Sequence, residues 1–303
     1  MRFSIWPSLG QPWTDVAEVT RHAEATGWDG VFVADHFMDS GAAGPAETPT
    51  LEATAALPAL AMATERLRLG TLVLGNTYRH PAVLANWAAT VDQLSGGRML
   101  FGVGAGWQEN EHQQYGIPLP PPGERITRFE EACLVWKGLL RTPVTNVDGE
   151  HYQLADAICE PKPVQDPLPL LIGGKGDRMM GVVARHADEW NMWGLADTIA
   201  ERAAVLDRRC EAIGRDPASI ARSAQALVLL TDDRERAETF RAGGAGRPAA
   251  IAGTTNDVAR AVAAWQAVGL DEVIIPDFTL GKGSRRLDRM DAIIEQVAPD
   301  FRG

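Results

Sequence analysis

Eight apolar, strand-like runs recur along the chain, most of them separated by segments of helical character. They cover residues 3–6, 30–35, 67–75, 99–104, 168–174, 188–193, 223–230 and 272–277. Strands that alternate with helices pair in parallel, because each return must cross over a sheet face. Eight such units in 303 residues predict an α/β fold, a closed (β/α)8 TIM barrel, as one domain over 1–303. An open, doubly wound sheet is the rival. The punctuation agrees with helices between strands. A helix is expected over 14–26, stopped by Gly27, and another over 81–94, opened by Pro81 and stopped by "SGG". "ATGWDGVFVAD" near one end and "AVGLDEVIIPD" near the other echo each other, as repeated units would.

Two regions break the rhythm. Residues 116–165 hold "GIPLPPPGER", a helix to about Leu140 and "VDGEHYQL", and are expected to be an insertion between strands four and five. "RAGGAGRPAA" precedes a helix capped near Thr255. Both are expected as loops over the carboxyl-end mouth of the barrel.

Composition excludes several functions. A net charge of -11 leaves no basic footprint for nucleic acid or an anionic membrane. Cys133, Cys159 and Cys210 form no C-x-x-C pair, which argues against a disulfide framework or a zinc site and fits a reducing compartment. "MRFSIWPSLG" is too short and interrupted for a signal peptide, and no apolar run reaches membrane length, so a cytoplasmic protein is expected. His22, His112, His151 and His186 show no ligand spacing with carboxylates or cysteines, and no metal is expected. No G-x-S-x-G motif or hydrolase triad is present.

The stretch "MLFGVGAGWQENEHQQYG" places Gly102, Gly104 and Gly106 where a dinucleotide fingerprint could be read. That fingerprint belongs after the first strand, whereas these glycines follow the fourth. At a barrel strand's carboxyl end, glycines let a flat ligand approach the backbone, or simply make a tight turn. Barrel active sites collect at those ends. Asp35 and His36 end strand two. Gly75, Asn76 and Thr77 end strand three. Gly104, Ala105, Gly106 and Trp107 follow strand four, with Glu109 and Glu111 just beyond. Gly173, Gly174, Lys175 and Gly176 follow strand five, Trp193 ends strand six and Asp277 ends strand eight. His36 reads as the acid–base group, since imidazole titrates near neutrality, or as a histidine that orients its loop. Either glutamate reads as a proton donor or as a surface residue. The "GGKG" turn before a helix suits a phosphate, with Lys175 adding charge, or is an ordinary turn. Trp6, Trp107, Trp190 and Trp193 read as packing residues or as flat walls for a planar cofactor.

"DGVFVADHF", "LGTLVLGNTYRHPAVLANWAATVDQLSGGRMLFGVGAGWQENEHQQYG", "PLLIGGKG" and "VGLDEVIIPDF" together resemble the bacterial luciferase-like monooxygenase superfamily. Asp35-His36 and "GAGWQENEH" most resemble its branch that uses coenzyme F420, a deazaflavin. The resemblance implies a barrel with the deazaflavin at the carboxyl mouth and hydride transfer at its C5 to or from a small organic substrate. It implies His36 as the catalytic acid–base group and Glu109 as its helper. Asp35, Gly75, Asn76, Thr77 and Gly104 to Trp107 would line the cofactor, and Gly173 to Gly176 would receive its phosphate. It also implies a non-proline cis peptide at Leu74–Gly75 or Gly75–Asn76. Lys175 and Arg178 are candidates to meet the anionic tail of F420. The alternatives on the same barrel are an FMN-dependent monooxygenase and a flavin-binding protein without turnover. A homodimer is usual for similar proteins. Substrate choice is expected in loops 38–47, 116–165 and 241–253.

Overall fold

A strand needs a neighbour for every residue of its ladder, and in this chain eight strands supply one another in a ring. In the computed structural model, described over residues 1–39, 49–243 and 249–302, the strands are Arg2–Trp6, Gly30–Val33, Arg68–Thr71, Met99–Gly104, Leu170–Gly173, Glu189–Trp193, Ala221–Gln225 and Glu272–Pro276. We number them one to eight. Each pairs in parallel with the next. Strand one then pairs with strand eight, Phe3 opposite Val273, and closes the expected barrel.

Helix boundaries follow the stop signals. Trp13–Thr26 ends on Gly27 at φ 89°, and Pro81–Ser95 ends on Gly96 at φ 65°, the left-handed conformation that glycine adopts without a Cβ clash. Thr255–Ala267 opens on a capping box between Thr254 and Asp257. Among the described residues no helix is long and apolar enough to cross a membrane.

Alternation along the strands separates two cores. Outward side chains meet the helices, as where Phe101 packs edge-on to Trp136 with ring centroids 5.4 Å apart. Inward side chains fill the barrel with Phe32, Leu100, Leu171 and Ile274, capped by Trp6 and Leu72. At the opposite end, the first residues of three strands, Arg68, Glu189 and Glu272, form an ion cluster in which Arg68 bonds both carboxylates. Ser4 adds its hydroxyl to Glu272. That cluster seals the amino end of the barrel.

Four expectations change. Strand seven leaves the barrel at Gln225. Its apolar continuation, Leu227–Leu230, pairs instead with Ala250–Gly253, because strand six ends at Trp193 and offers no ladder farther on. Strand three stops at Thr71 and resumes as Leu74–Gly75, which pairs with Val103 and Gly104. The non-proline cis peptide is Leu72–Val73, not one of the two bonds after Leu74; the Val73 side chain occupies space that Gly104 and Gly173 leave open. Residues 116–165 also contain a regular ring helix, Pro122–Arg141, packed between Pro81–Ser95 and Asp177–His186. The added piece is the hairpin Thr145–Asp148 and Gln153–Ala157. Of the loops expected to select substrate, residues 40–47 and 244–248 lie outside the described residues.

Candidate functional site

Beyond Val33 the chain turns at the mouth, and its two polar residues part company. Asp35 is buried in the wall. Its carboxylate accepts the Gly75 N–H at 3.0 Å and a bidentate pair of bonds from Arg79 at 2.7 and 3.0 Å. Burial drives its pKa up, against the lowering pull of Arg79. Arg79 also bonds Glu52. Asp35 therefore stitches strand two to the turn after strand three.

His36 stands in the mouth with 31% of its side chain exposed. Its Nδ1 lies 2.9 Å from Oε1 of Glu111, which is fully buried. The same carboxylate accepts the Phe37 N–H at 2.8 Å and the Tyr78 hydroxyl. Burial alone would raise the pKa of Glu111, but hydrogen bonds from His36, Tyr78 and Phe37 outweigh it, and the net shift is downward. Burial, and then the bond to Glu111, push the Tyr78 phenol up. A carboxylate only accepts, so the proton between the two rests on Nδ1, and the neutral tautomer of this ring carries its lone pair on Nε2. Trp107 meets the imidazole edge-on at 5.5 Å.

Glu109 and Glu111 both sit in the first turn of the helix Glu109–Tyr115. Two positions apart on a helix is about 200° of rotation. Glu109 accordingly points outward, exposed and without a hydrogen bond among the described residues, while Glu111 points in. The structure gives His36 the second glutamate of that turn as its partner.

Below the histidine the mouth has a flat side. A Cβ on Gly104 would come within 2.7 Å of Val73 Cγ2, and one on Gly173 within 3.1 Å of Val73 Cγ1. Only glycines there let Val73 lie across the ends of strands four and five. Gly106 has φ 84°, and a Cβ on it would meet Thr77 Oγ1 at 2.5 Å. Thr77 bonds His112 Nε2 at 2.7 Å, whose Nδ1 donates to the Gln108 carbonyl at 2.6 Å. Arg125 donates to the Gly106 carbonyl at 2.9 Å. Asn76 is buried, with Nδ2 3.3 Å from the Tyr152 hydroxyl and Oδ1 unpartnered. Whichever way round the amide lies, one of its polar atoms has no partner among the described residues.

At strand five, Gly174 adopts φ 147° and Trp190 donates to its carbonyl at 2.8 Å. Lys175 is exposed. Gly176 precedes the helix Asp177–His186, whose first N–H groups have no side-chain cap. Arg178 is tied to the Gly123 carbonyl and Thr127, each at 3.2 Å. Asp277, at the end of strand eight, is structural: it accepts from the Ser8 N–H, Gln11 and Arg286 and holds the first loop to the last strand.

The remaining side of the mouth is aromatic. Trp6 lies 5.6 Å from Trp193 and 5.2 Å from Phe278, ring centroid to centroid. Sequence reasoning missed Gln225 beside them, as well as Tyr78 and Arg79; the alternation along strand seven could have found Gln225. Elsewhere, His151 stands with Glu131 and Glu150, their ligand atoms within 4.8 Å of one another. The Glu131 carboxylate there already accepts the N–H groups of Glu150, His151 and Tyr152 and ties the hairpin turn.

Comparison with known proteins places this geometry. Residues 1–245 match the family model described as luciferase-like monooxygenase. An F420-dependent glucose-6-phosphate dehydrogenase from Beutenbergia cavernae is 37% identical over 178 residues, covering 57% of this chain and 51% of that protein. The chain thus spans about half the length of such curated relatives. Among solved structures, an F420-dependent secondary alcohol dehydrogenase in complex with an F420-acetone adduct superposes with TM-score 0.87 at 20% identity, over 100% of this chain and 99% of that one. The coenzyme F420-dependent tetrahydromethanopterin reductase of Methanopyrus kandleri superposes with TM-score 0.83 at 18% identity, over 99% of both chains. At these identities the superpositions speak for the fold.

Proposed function

Because the chain belongs to the luciferase-like monooxygenase family, we propose that it is an oxidoreductase dependent on coenzyme F420, acting on a small organic substrate. The observation that carries this reading is the His36–Glu111 pair, which leaves one imidazole nitrogen free as a base beside a flat glycine floor. The relatives named for F420 chemistry support the choice of cofactor.

The residues fit such a group. Gly104, Ala105, Gly106 and Trp107, with Val73 between Gly104 and Gly173, would line the ring, and the unpartnered polar atom of Asn76 would meet a polar edge of it. Asp35, Gly75 and Thr77 hold this floor in place from behind. Gly173, Gly174, Lys175 and Gly176, with the uncapped helix start, would receive the phosphate. When bound, F420 supplies two-electron hydride exchange at C5 of the deazaflavin.

The chain's own residues manage the proton. In alcohol oxidation the C–H electron pair leaves with its hydrogen, and the O–H proton passes to Nε2 of His36 as the carbonyl forms. In reduction His36 returns it. Glu111 fixes the tautomer and stabilises the imidazolium. Glu109, exposed at the same turn, is the second acid–base candidate.

The test is a parallel fluorescence titration with F420 and FMN. Micromolar or tighter F420 binding with weaker FMN binding is expected. Preference for FMN would overturn the cofactor assignment. Binding of F420 with no substrate-dependent change in its redox state across alcohols and ketones would identify a carrier instead.

A further inference from the structure

Side chains alternate along a strand, so the last inward residue of each barrel strand sets the wall of the mouth. On strands four and five these residues are Gly104 and Gly173. Strand six ends inward on Trp193, and strand seven on Gln225 opposite it in register. The inward sense of Gln225 follows from Ser223, two residues earlier, which bonds Asn191 at 2.9 Å and pairs with Glu272 of the sealing cluster. Strand one ends inward on Trp6, with Phe278 just beyond strand eight. One half of the mouth is a glycine floor with Val73 lying across it, and the other is aromatic, with a single amide set in it.

That amide is 3% exposed, and its Oε1 is buried without a hydrogen-bond partner. No protein group uses its two N–H donors among the described residues. A buried polar group without a partner is costly, and a ligand that satisfies it recovers that cost. Among the described residues, the buried cation beside this half is committed. Arg286 bonds Asp277, Gln11 and the Gly281 carbonyl. Lys282 is exposed in the turn beyond Phe278.

We infer that Gln225 is a substrate-positioning residue, and that Trp6, Trp193 and Phe278 form the wall for an uncharged substrate with an apolar ring whose hydroxyl or carbonyl oxygen bonds the Gln225 amide. This deepens the oxidoreductase reading and rests on it. It also separates the chain from the sugar phosphate named for its relatives: an aromatic wall favours an apolar face, and among the described residues the arginine beside this wall, Arg286, is already bonded to Asp277, Gln11 and the Gly281 carbonyl.

The experiment compares 1-indanol with indane, which lacks the hydroxyl, by ligand-observed saturation-transfer NMR, with and without F420. Wild type is expected to bind 1-indanol more tightly by roughly five- to tenfold, the worth of one net hydrogen bond. Gln225→Leu should bind indane as well as wild type does, which shows an intact wall, and should lose the preference. With F420, the variant should raise KM for 1-indanol and leave F420 affinity unchanged. An unchanged preference in Gln225→Leu, no binding of either ligand in both conditions, or displacement of 1-indanol by glucose 6-phosphate would overturn the inference. Failure to bind F420 alone, with the indanol preference intact, would remove the cofactor assignment and leave the substrate wall standing.

Discussion

The Glu111 carboxylate lies 2.9 Å from Nδ1 of His36, with the glutamate fully buried and the histidine open to the mouth. In the proposed mechanism the acid–base residue is thus oriented from behind, by a buried carboxylate. His36→Ala should reduce turnover by roughly 10²- to 10⁴-fold while F420 titrations stay at the wild-type value. Glu111→Gln should reduce it by on the order of 10²-fold, because an amide can donate to Nδ1 and favour the wrong tautomer. Steady-state kinetics beside binding checks both. Turnover equal to wild type in His36→Ala would remove the proton role.

The same pair has a pH signature. Glu111 has a folded pKa below its ordinary 4.5. Its stabilising contribution is therefore complete above the ordinary value and is lost as pH falls through the lower folded one. The difference in unfolding free energy between wild type and Glu111→Gln should be largest near neutrality and shrink below about pH 4.5. Urea unfolding at several pH values measures it.

A methyl group on the floor should be felt by the cofactor first. Gly104→Ala puts a Cβ 2.7 Å from Val73 Cγ2. The overpacking should cost about 1–3 kcal/mol and raise the Kd for F420. Adding Val73→Ala makes room and should restore much of the affinity. Identical F420 titrations for Gly104→Ala and wild type would show that the floor does not carry the ring.

Asp35 and Arg79 predict a loss of stability that is independent of chemistry. Asp35→Ala leaves Arg79 half-buried beside Glu52 alone. Breaking a buried pair from one side costs about 3–5 kcal/mol. The urea midpoint should fall accordingly.

His186, far from the mouth on the outer ring, has its pKa pushed down to about 4, chiefly by burial and next by the charge of Lys137. The folded chain therefore resists protonation there, and stability should fall as pH drops from about 6.5 toward 4. His186→Gln should flatten that part of the stability profile, read as melting temperature at pH 7.5 and pH 5. Parallel profiles for variant and wild type would dismiss the histidine.

The barrel was legible because its strands are buried on both faces and read as apolar runs, and because Gly27, Gly96 and Thr254 mark helix ends by local chemistry. What depended on distant neighbours was not. Nothing local tells the run through Gln225 to stop pairing where strand six ends, and nothing tells a glycine-rich segment after strand three where Val73 will find space. The site shows the same division. His36 and the glycine turns stand at strand ends, where position alone marks them. Choosing between Glu109 and Glu111 needs the rotational phase of a seven-residue helix, against which Phe37 packs on Tyr115 and Tyr78 on His112. Gln225 sits at the head of an apolar run, Leu227–Leu230, whose apolarity draws attention away from the Ser223–Gln225 alternation just before it.

The cluster of Arg68, Glu189 and Glu272 at the sealed end has a further bearing. It locks three strands together at the end of the barrel remote from every residue that would touch a substrate. A descendant of this chain can exchange Trp193, Gln225 or Phe278 and acquire a new substrate without disturbing what keeps the ring shut. A change at Arg68 would leave two interior carboxylates with only Arg2 and Ser4 to meet them and threaten the molecule whatever it had come to act upon. Innovation and survival are thereby written at opposite poles of one cylinder.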